Sequence, residues 1–174
     1  MSDQFVHLHL HSQYSLLDGA IKFDELFDEV EKQGMSSVAL TDHGNLFGAY
    51  DFYKKAKDKG IKPIVGCELY IAKDHLNKSS ENNKTHHLTV LAKNLQGYEN
   101  LCTLVSIGHL KGFYRKPRID RKLLFEYSDG LIVLSGCLNG EVCHNILKGR
   151  KDEAIKMAAE YKNILGDRYF IEMQ

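Results

Sequence analysis

Three imidazoles alternate with apolar side chains in "FVHLHLHSQYSLLDG", at His7, His9 and His11, and Asp18 follows seven residues after the last of them. Side chains at i, i+2 and i+4 share one face of a strand, which sends Leu8 and Leu10 to the opposite side. Imidazoles buried unpaired and charged would be costly. A His-x-His at the end of a strand, with a carboxylate close behind, instead offers the nitrogen and oxygen donors that zinc and manganese accept. Four further stretches carry similar donors. In "LTDHGN", His43 leaves a strand, and Asp42 either ligates or orients a histidine; a plain helix-capping role for Asp42 and Asn45 is the alternative. In "GCEL", Glu68 sits inside an apolar strand, where a carboxylate needs a metal or an arginine. In "THHLTVL", one of His86 and His87 faces inward, and alternation does not choose between them. In "LSGC", Cys137 is a thiolate ligand or a small buried hydrophobe. These donors exceed what one tetrahedral ion takes, so two or more cations are implied. Clustered cations clamp the attacking and leaving oxygens of a phosphoester and supply hydroxide near neutral pH. The residues therefore read as a metal-dependent hydrolase, of the phosphoesterase kind.

Such donors need strands to deliver them. "FVHLHL" reads as the first strand, "SSVALTD" as the second, "KPIVGCELYIA" as the third with an irregularity at Gly66, "HLTVLAK" as the fourth, "LIVLSG" as the fifth and "RYFIEMQ" as the start of a sixth. Helices alternate with them. Phe23, Leu26, Phe27 and Val30 keep helical spacing ahead of Gly34; Ala49, Phe52, Tyr53 and Ala56 do so ahead of Gly60, with Asn45 as a cap. "GYENLCTLVSIGHL" is a helix, and residues 141–165 hold one or two more, with Ala154, Met157, Ala158 and Tyr161 as the buried stripe. The polar run "KDHLNKSSENNKT" reads as a locally disordered loop. "KGFYRKPRIDRKLLFEYSDG" reads as a basic connector entering a short helix.

Strand-helix alternation predicts an α/β fold with a parallel sheet. Polar residues at several strand ends favour a barrel, whose strands converge on one mouth, over an open sheet with one switch point. A complete barrel takes roughly 250 residues, so 174 residues predict a barrel truncated before it closes. No GxGxxG or GxxxxGK[ST] pattern supports nucleotide binding. A formal net charge of +0 argues against a dominant grip on duplex nucleic acid. No membrane segment or signal core is visible. Cys67, Cys102, Cys137 and Cys143 form no CxxC pair, so reduced thiols and a cytoplasmic setting are expected.

The strings "FVHLHLHSQYSLLDGA", "LTDHGNLFGAYDFYKKAKDKGIKPIVGCELYIA", "HLTVLAKNLQGYENL", "GFYRKPRIDRKLL" and "GLIVLSGCLNGEV" together resemble the PHP (polymerase and histidinol phosphatase) family, in the form found at the N-terminus of bacterial replicative DNA polymerases. The resemblance spans essentially the whole chain. It implies a distorted barrel of about seven strands, of which residues 1–174 supply about six. It implies metal ligands at His9, His11, Asp18, His43, Glu68, His87 and Cys137, holding two to three zinc or manganese ions. His87 is thereby favoured over His86, and Asp42 and His7 are left beside the ligands. The family's last ligands, an Asp-x-His pair on a later strand, have no counterpart after Cys137. The resemblance further implies a longer polymerase, with magnesium in an active site outside this chain. Its PHP part either proofreads as a 3′–5′ exonuclease on the primer end or serves as a platform that docks other holoenzyme subunits, including a proofreading subunit. A free-standing phosphatase of small metabolites is the third reading. Lys111, Phe113, Tyr114, Arg115, Lys116, Arg118 and Arg121 are the candidate DNA contacts, a basic stretch with interleaved aromatics; a solvated connector is the alternative.

Overall fold

The computed structural model describes residues 5–173. It is an α/β fold in which a mixed sheet bends around the donor-bearing residues. In chain order the elements are α1 (Phe23–Lys32), β1 (Ser37–Leu40), α2 (Ala49–Asp58), β2 (Lys62–Ala72), β3 (Thr85–Ala92), α3 (Leu95–Leu110), β4 (Arg118–Asp120), α4 (Arg121–Glu126), β5 (Leu131–Leu134), α5 (Glu141–Leu147), α6 (Lys151–Leu165) and β6 (Tyr169–Phe170). The sheet order is β1-β2-β3-β5-β6, with β4 pairing on β2. Strand order thus runs open from β1 to β6, as a truncated barrel would.

The helices form where apolar residues recur at helical spacing. Phe23, Leu26, Phe27 and Val30 of α1 are all buried, and they meet Phe52 and Ala56 of α2 over Val38 and Leu40. Tyr53, the fourth member of the α2 stripe, is half exposed. A second, larger core packs Leu101 and Leu104 of α3 and Tyr161 and Leu165 of α6 against β2, β3 and β5. Asn45 does not cap α2. The cap is Gly48, and the Asn45 side chain instead accepts from Phe47 N and donates to the carbonyls of Tyr14 and His43. It fixes the turn one step upstream.

Two features of β2 organise the rest. Its first half, Lys62 to Val65, pairs parallel with β1; from Gly66 to Ala72 it pairs antiparallel with β3. The expected irregularity at Gly66 marks where the β3 ladder begins on the other edge of β2. A Cβ there would stand 2.6 Å from Val90 O and 2.7 Å from Leu91 Cδ2, so only glycine lets β3 approach. The antiparallel direction of β3 follows from its connection. Residues 73–84 contain no crossover helix, only one short 3₁₀ turn, and a parallel return needs a long crossover. The parallel pairings are β1–β2, β2–β4 and β5–β6.

Residues 5–10 do not form a named strand. They lie beside β1, where Ala39 N donates to His7 O and Thr41 N to Leu10 O. Two steps along β1 thus match three along this segment. The Thr41 hydroxyl absorbs the mismatch, accepting from Leu10 N and donating to Leu10 O. The slip breaks the expected alternation between His7 and the two later histidines.

The loop expected to be disordered is held in place from within. Arg118 is 0% exposed. Its guanidinium donates to the carbonyls of Asn82, Asn77 and His75 in that loop, and to Gly112 O. The Asn82 amide donates to Asp74 O and Asn77 O. A buried cation that donates to backbone carbonyls, with the Tyr114 ring 5.2 Å from its centre, organises a loop whose composition gives no hint of order. All four cysteines are free. Among the described residues, no helix is long and apolar enough to cross a membrane.

Candidate metal centre

Glu68 is the hub. Only 2% of it is exposed, and imidazoles from separate segments converge on its carboxylate. His9 Nε2 lies 2.7 Å and His11 Nε2 3.0 Å from Oε2. His87 Nδ1 lies against Oε1, and His43 Nδ1 is 3.6 Å from it. His43 Nε2 in turn meets Asp18 Oδ2 at 3.0 Å. The rings crowd one another: His11 and His43 stack with centroids 4.0 Å apart. Cys137 Sγ is 4.0 Å from His87 Nδ1, and accepts from Asn139 N at 3.4 Å.

The topology explains the convergence. An isolated bridge pairs His43 with Glu68, continuing the β1–β2 ladder past its end. Across β3, Glu68 is opposite Thr89 and Tyr70 is opposite His87. His43 and Cys137 leave the C-terminal ends of β1 and β5, but His87 comes from the first half of β3, because β3 runs the other way. Glu68 stands in the middle of β2 rather than at its end.

Asp42 is buried and does not face the cluster directly. Its carboxylate accepts from Ser12 N at 2.7 Å, Ser12 Oγ at 2.8 Å and Ser15 Oγ at 2.7 Å. Ser15 Oγ accepts from His43 N and sits 3.4 Å from His11 Nδ1. Asp42 thus fixes the backbone on both sides of two cluster histidines. His7 is exposed, and its ring packs edge-on to Phe5 rather than beside His9 and His11. His86 points away from the cluster toward Asn139 O and the His144 ring.

Glu172 escaped the sequence reading. His9 Nδ1 meets its Oε1 at 2.5 Å, and Thr89 Oγ1 donates to its Oε2 at 3.1 Å. Glu172 follows β6, so it obeys the same rule as the other donors, a polar residue just past a strand. Because residues 7–10 lie beside β1 and Glu172 follows β6, this contact spans the two edges of the sheet.

Electrostatics follow from this packing. Burial would lower the His9 pKa, but hydrogen bonds and charge from Glu172 and Glu68 outweigh it and push His9 up to about 9. Burial would raise Glu68, yet hydrogen bonds from His11, His87 and His9 hold it well below the usual carboxylate range. Burial, reinforced by Glu68 and Asp18, lifts the Tyr70 hydroxyl to about 12. Glu68 is therefore an anion at neutral pH in a nest of basic nitrogens. The donor set fits divalent cations on two counts. His9, His11 and Glu68 offer ligand atoms all within 4.8 Å of one another. His43 Nδ1 and Glu68 Oε1 are buried 3.6 Å apart with no hydrogen bond between them, Oε1 being met by His87 Nδ1 instead. Buried polar atoms are normally paired, and a shared cation would satisfy both.

Of the candidate DNA contacts, Lys111, Phe113, Arg115 and Lys116 are exposed and Tyr114 is half-buried. Arg118 is excluded as a DNA contact, since its side chain is wholly interior. Arg121 is paired with Glu160 and Glu141, which leaves it poorly placed to meet a phosphate.

These features define a class. The PHP domain family matches residues 7–174, and the chain belongs to it. Among curated proteins, it is 49% identical over 179 residues to DNA polymerase III subunit alpha of Helicobacter pylori, covering 97% of this chain and 15% of that protein. It is 46% identical over 182 residues to DNA polymerase III subunit alpha of Aquifex aeolicus, covering 100% of this chain and 16% of that protein. The chain therefore spans about 15% of the length of these relatives. Among solved structures it is similar to a two-domain protein from Bacteroides vulgatus containing a predicted PHP-like metal-dependent phosphoesterase, at TM-score 0.45 and 15% identity, over 91% of this chain and 49% of that one.

Proposed function

We propose that this chain is a metal-dependent phosphoesterase domain that removes nucleotides from the 3′ end of DNA, as the proofreading part of a longer bacterial replicative polymerase. One observation carries the reading: a buried carboxylate, Glu68, faced by His9, His11, His43 and His87 from three other segments of the chain. In this reading His9, His11, Asp18, His43, Glu68, His87 and Cys137 hold two to three zinc or manganese ions. Bound cations supply hydroxide near neutral pH and neutralise the phosphodiester. The chain's own residues do the rest. Glu68 keeps the nest anionic. Asp42, through Ser12 and Ser15, fixes the backbone around His11 and His43. Lys111, Arg115 and Lys116 draw the phosphates. The longer polypeptide, in the cytoplasm, adds nucleotides with magnesium in its other domains and works on DNA with further holoenzyme subunits.

The test is excision of a mispaired 3′ nucleotide by the full-length polypeptide in manganese or zinc. Asp18→Asn and His43→Ala should each reduce excision by about 100-fold or more, since even groups behind metal ligands cost 10–100-fold. Unchanged excision eliminates the reading. A second reading has its own support. The His9–Glu172 contact ties the two edges of the sheet, so the cluster also serves the fold. If the wild type never cleaves DNA while metals still raise its melting temperature, the cluster is a structural platform, on which a separate proofreading subunit docks.

A further inference from the structure

Beside the cluster lies an exposed aromatic group that the metal chemistry leaves unused. Phe47 is 67% and Phe113 48% exposed. Between them stands His109 of α3, its ring centroid 6.2 Å from each; the His109 and Phe113 rings are stacked with 30° between planes. His109 is anchored, because its Nε2 donates to Gly44 O at 2.9 Å. Gly44 directly follows the cluster residue His43 and is wedged in place. A Cβ on it would lie 2.7 Å from Pro117 and 3.1 Å from the Tyr70 ring, and its φ is +60°. Three rings contributed by the α2 approach, α3 and the basic connector are thus fixed against the backbone of the metal-cluster loop.

Charge accompanies them. Tyr70 stacks on His43 with centroids 6.1 Å apart, and Lys116 Nζ lies 4.3 Å from the centre of the Tyr70 ring. Lys116 is delivered by a tight turn in which Tyr114 N donates to Lys116 O. Arg115, at the tip of that turn, has φ 62°, and among the described residues it is the one non-glycine in the left-handed region. Side-chain-bearing residues enter that region at a cost. The turn thus holds Lys116 over Tyr70, the ring that stacks on His43, with the exposed Arg115 next to it in the chain.

We propose that Phe47 and Phe113, steadied by His109, form a stacking shelf for the bases of a single-stranded DNA end, and that Lys116 and Arg115 meet its phosphates beside the metal cluster. This rests on the phosphoesterase reading and deepens it by naming a single strand as the substrate. Sequence-tolerant binding of single strands combines stacking on aromatics with a cationic track, and both are present here. A duplex end would keep its bases stacked on each other and give the shelf nothing to hold.

The test is fluorescence anisotropy of the protein with a 5′-labelled single-stranded oligonucleotide in EDTA, so that no cleavage is needed. Two probes are compared, one with a normal 3′ base and one with an abasic 3′ end. Stacking is worth about 1–3 kcal/mol per base, so the wild type should bind the normal probe about 5–150-fold more tightly. Phe47→Ala with Phe113→Ala should erase that preference and leave the affinity of the abasic probe unchanged. The Phe47→Leu, Phe113→Leu pair, which keeps apolar bulk, should erase most of it too. A wild type without preference, or a Leu pair that retains it in full, overturns the shelf. If the preference holds but the wild type never cleaves, the hydrolytic reading falls and the shelf stands. If cleavage needs Asp18 and His43 but the 3′ base goes unread, only the shelf falls.

Discussion

Arg118 and Glu68 are two of the charged side chains buried in this molecule, and their surroundings are opposites. The Arg118 guanidinium donates four hydrogen bonds to the backbone carbonyls of Gly112, His75, Asn77 and Asn82. These acceptors neither titrate nor leave, so the cradle has one state. The Glu68 carboxylate is instead surrounded by the imidazoles of His9, His11, His43 and His87, side chains that can give way to a ligand. A buried charge held by fixed backbone carbonyls is scaffold; one ringed by exchangeable side-chain donors is a place for a ligand. The difference also separates what each group should do when removed.

The largest effect is expected at the cradle. Arg118→Met leaves several buried carbonyls without donors, at about 1–3 kcal/mol each. A total loss of roughly 3–5 kcal/mol corresponds to about 6–20 °C in melting temperature for a domain of this size. Thermal melting followed by circular dichroism reads it. Arg118→Lys should recover only part, because one ammonium cannot span the same acceptors as a planar fork. A variant that melts like the wild type would show that the cradle is not structural.

The next effect belongs to the nest. A metal at 100 times its dissociation constant stabilises by about 2.7 kcal/mol, or roughly 5–10 °C at about 2–4 °C per kcal/mol. Manganese or zinc should raise the wild-type melting temperature by that order, and Glu68→Gln should abolish the rise. Arg118→Lys should keep the rise while starting from a lower baseline. Equal metal responses in Glu68→Gln and the wild type would erase the distinction between the two sites.

A smaller effect comes from pH in the metal-free protein. The folded pKa of His9 is raised from 6.5 to about 9. Its contribution is fully present below 6.5 and is lost as pH rises through about 9. Glu68 is lowered from 4.5, so its contribution is present above 4.5 and is lost as pH falls. In EDTA, melting temperature should therefore decline between pH 6.5 and 9, and the decline should be absent in His9→Gln. If His9 ligates the cation as proposed, metal displaces the His9 proton, and the metal-induced rise should grow across the same interval.

The smallest effect tests the edge of the cradle. His75 bonds Asp120, which also caps α4 through Leu123 N. His75→Ala should cost about 1 kcal/mol and leave the metal response intact.

Much of this molecule is readable from short-range pattern. The buried stripe of α1, its stop at Gly34, and the presence of an irregularity at Gly66 all follow from residue type and local spacing. The donor stretches are equally visible, because His-x-His, Asp-His and a lone Glu in an apolar run are unusual locally. What stays hidden depends on partners far away in sequence. β4 is three residues long, too short for alternation to register, and exists because β2 offers it an edge. Arg118 sits in a basic run that reads as surface, and only the folding of residues 75–82 over it makes it interior. Asn45 has the right chemistry for a cap but is taken by the turn at Phe47.

Residue identity alone determined the kind of chemistry available, since imidazole, carboxylate and thiolate donors are properties of the side chains. It also determined the amphipathic helices, whose periodicity is local. Only the tertiary structure decided which donors share a centre. His7 is turned out by a one-residue slip against β1, and His87 is turned in by a strand that runs against its neighbours. Glu172 reaches His9 from the far edge of the sheet. Each outcome depends on register and pairing direction between segments distant in sequence, and those are settled by hydrogen bonds that form only when the segments meet.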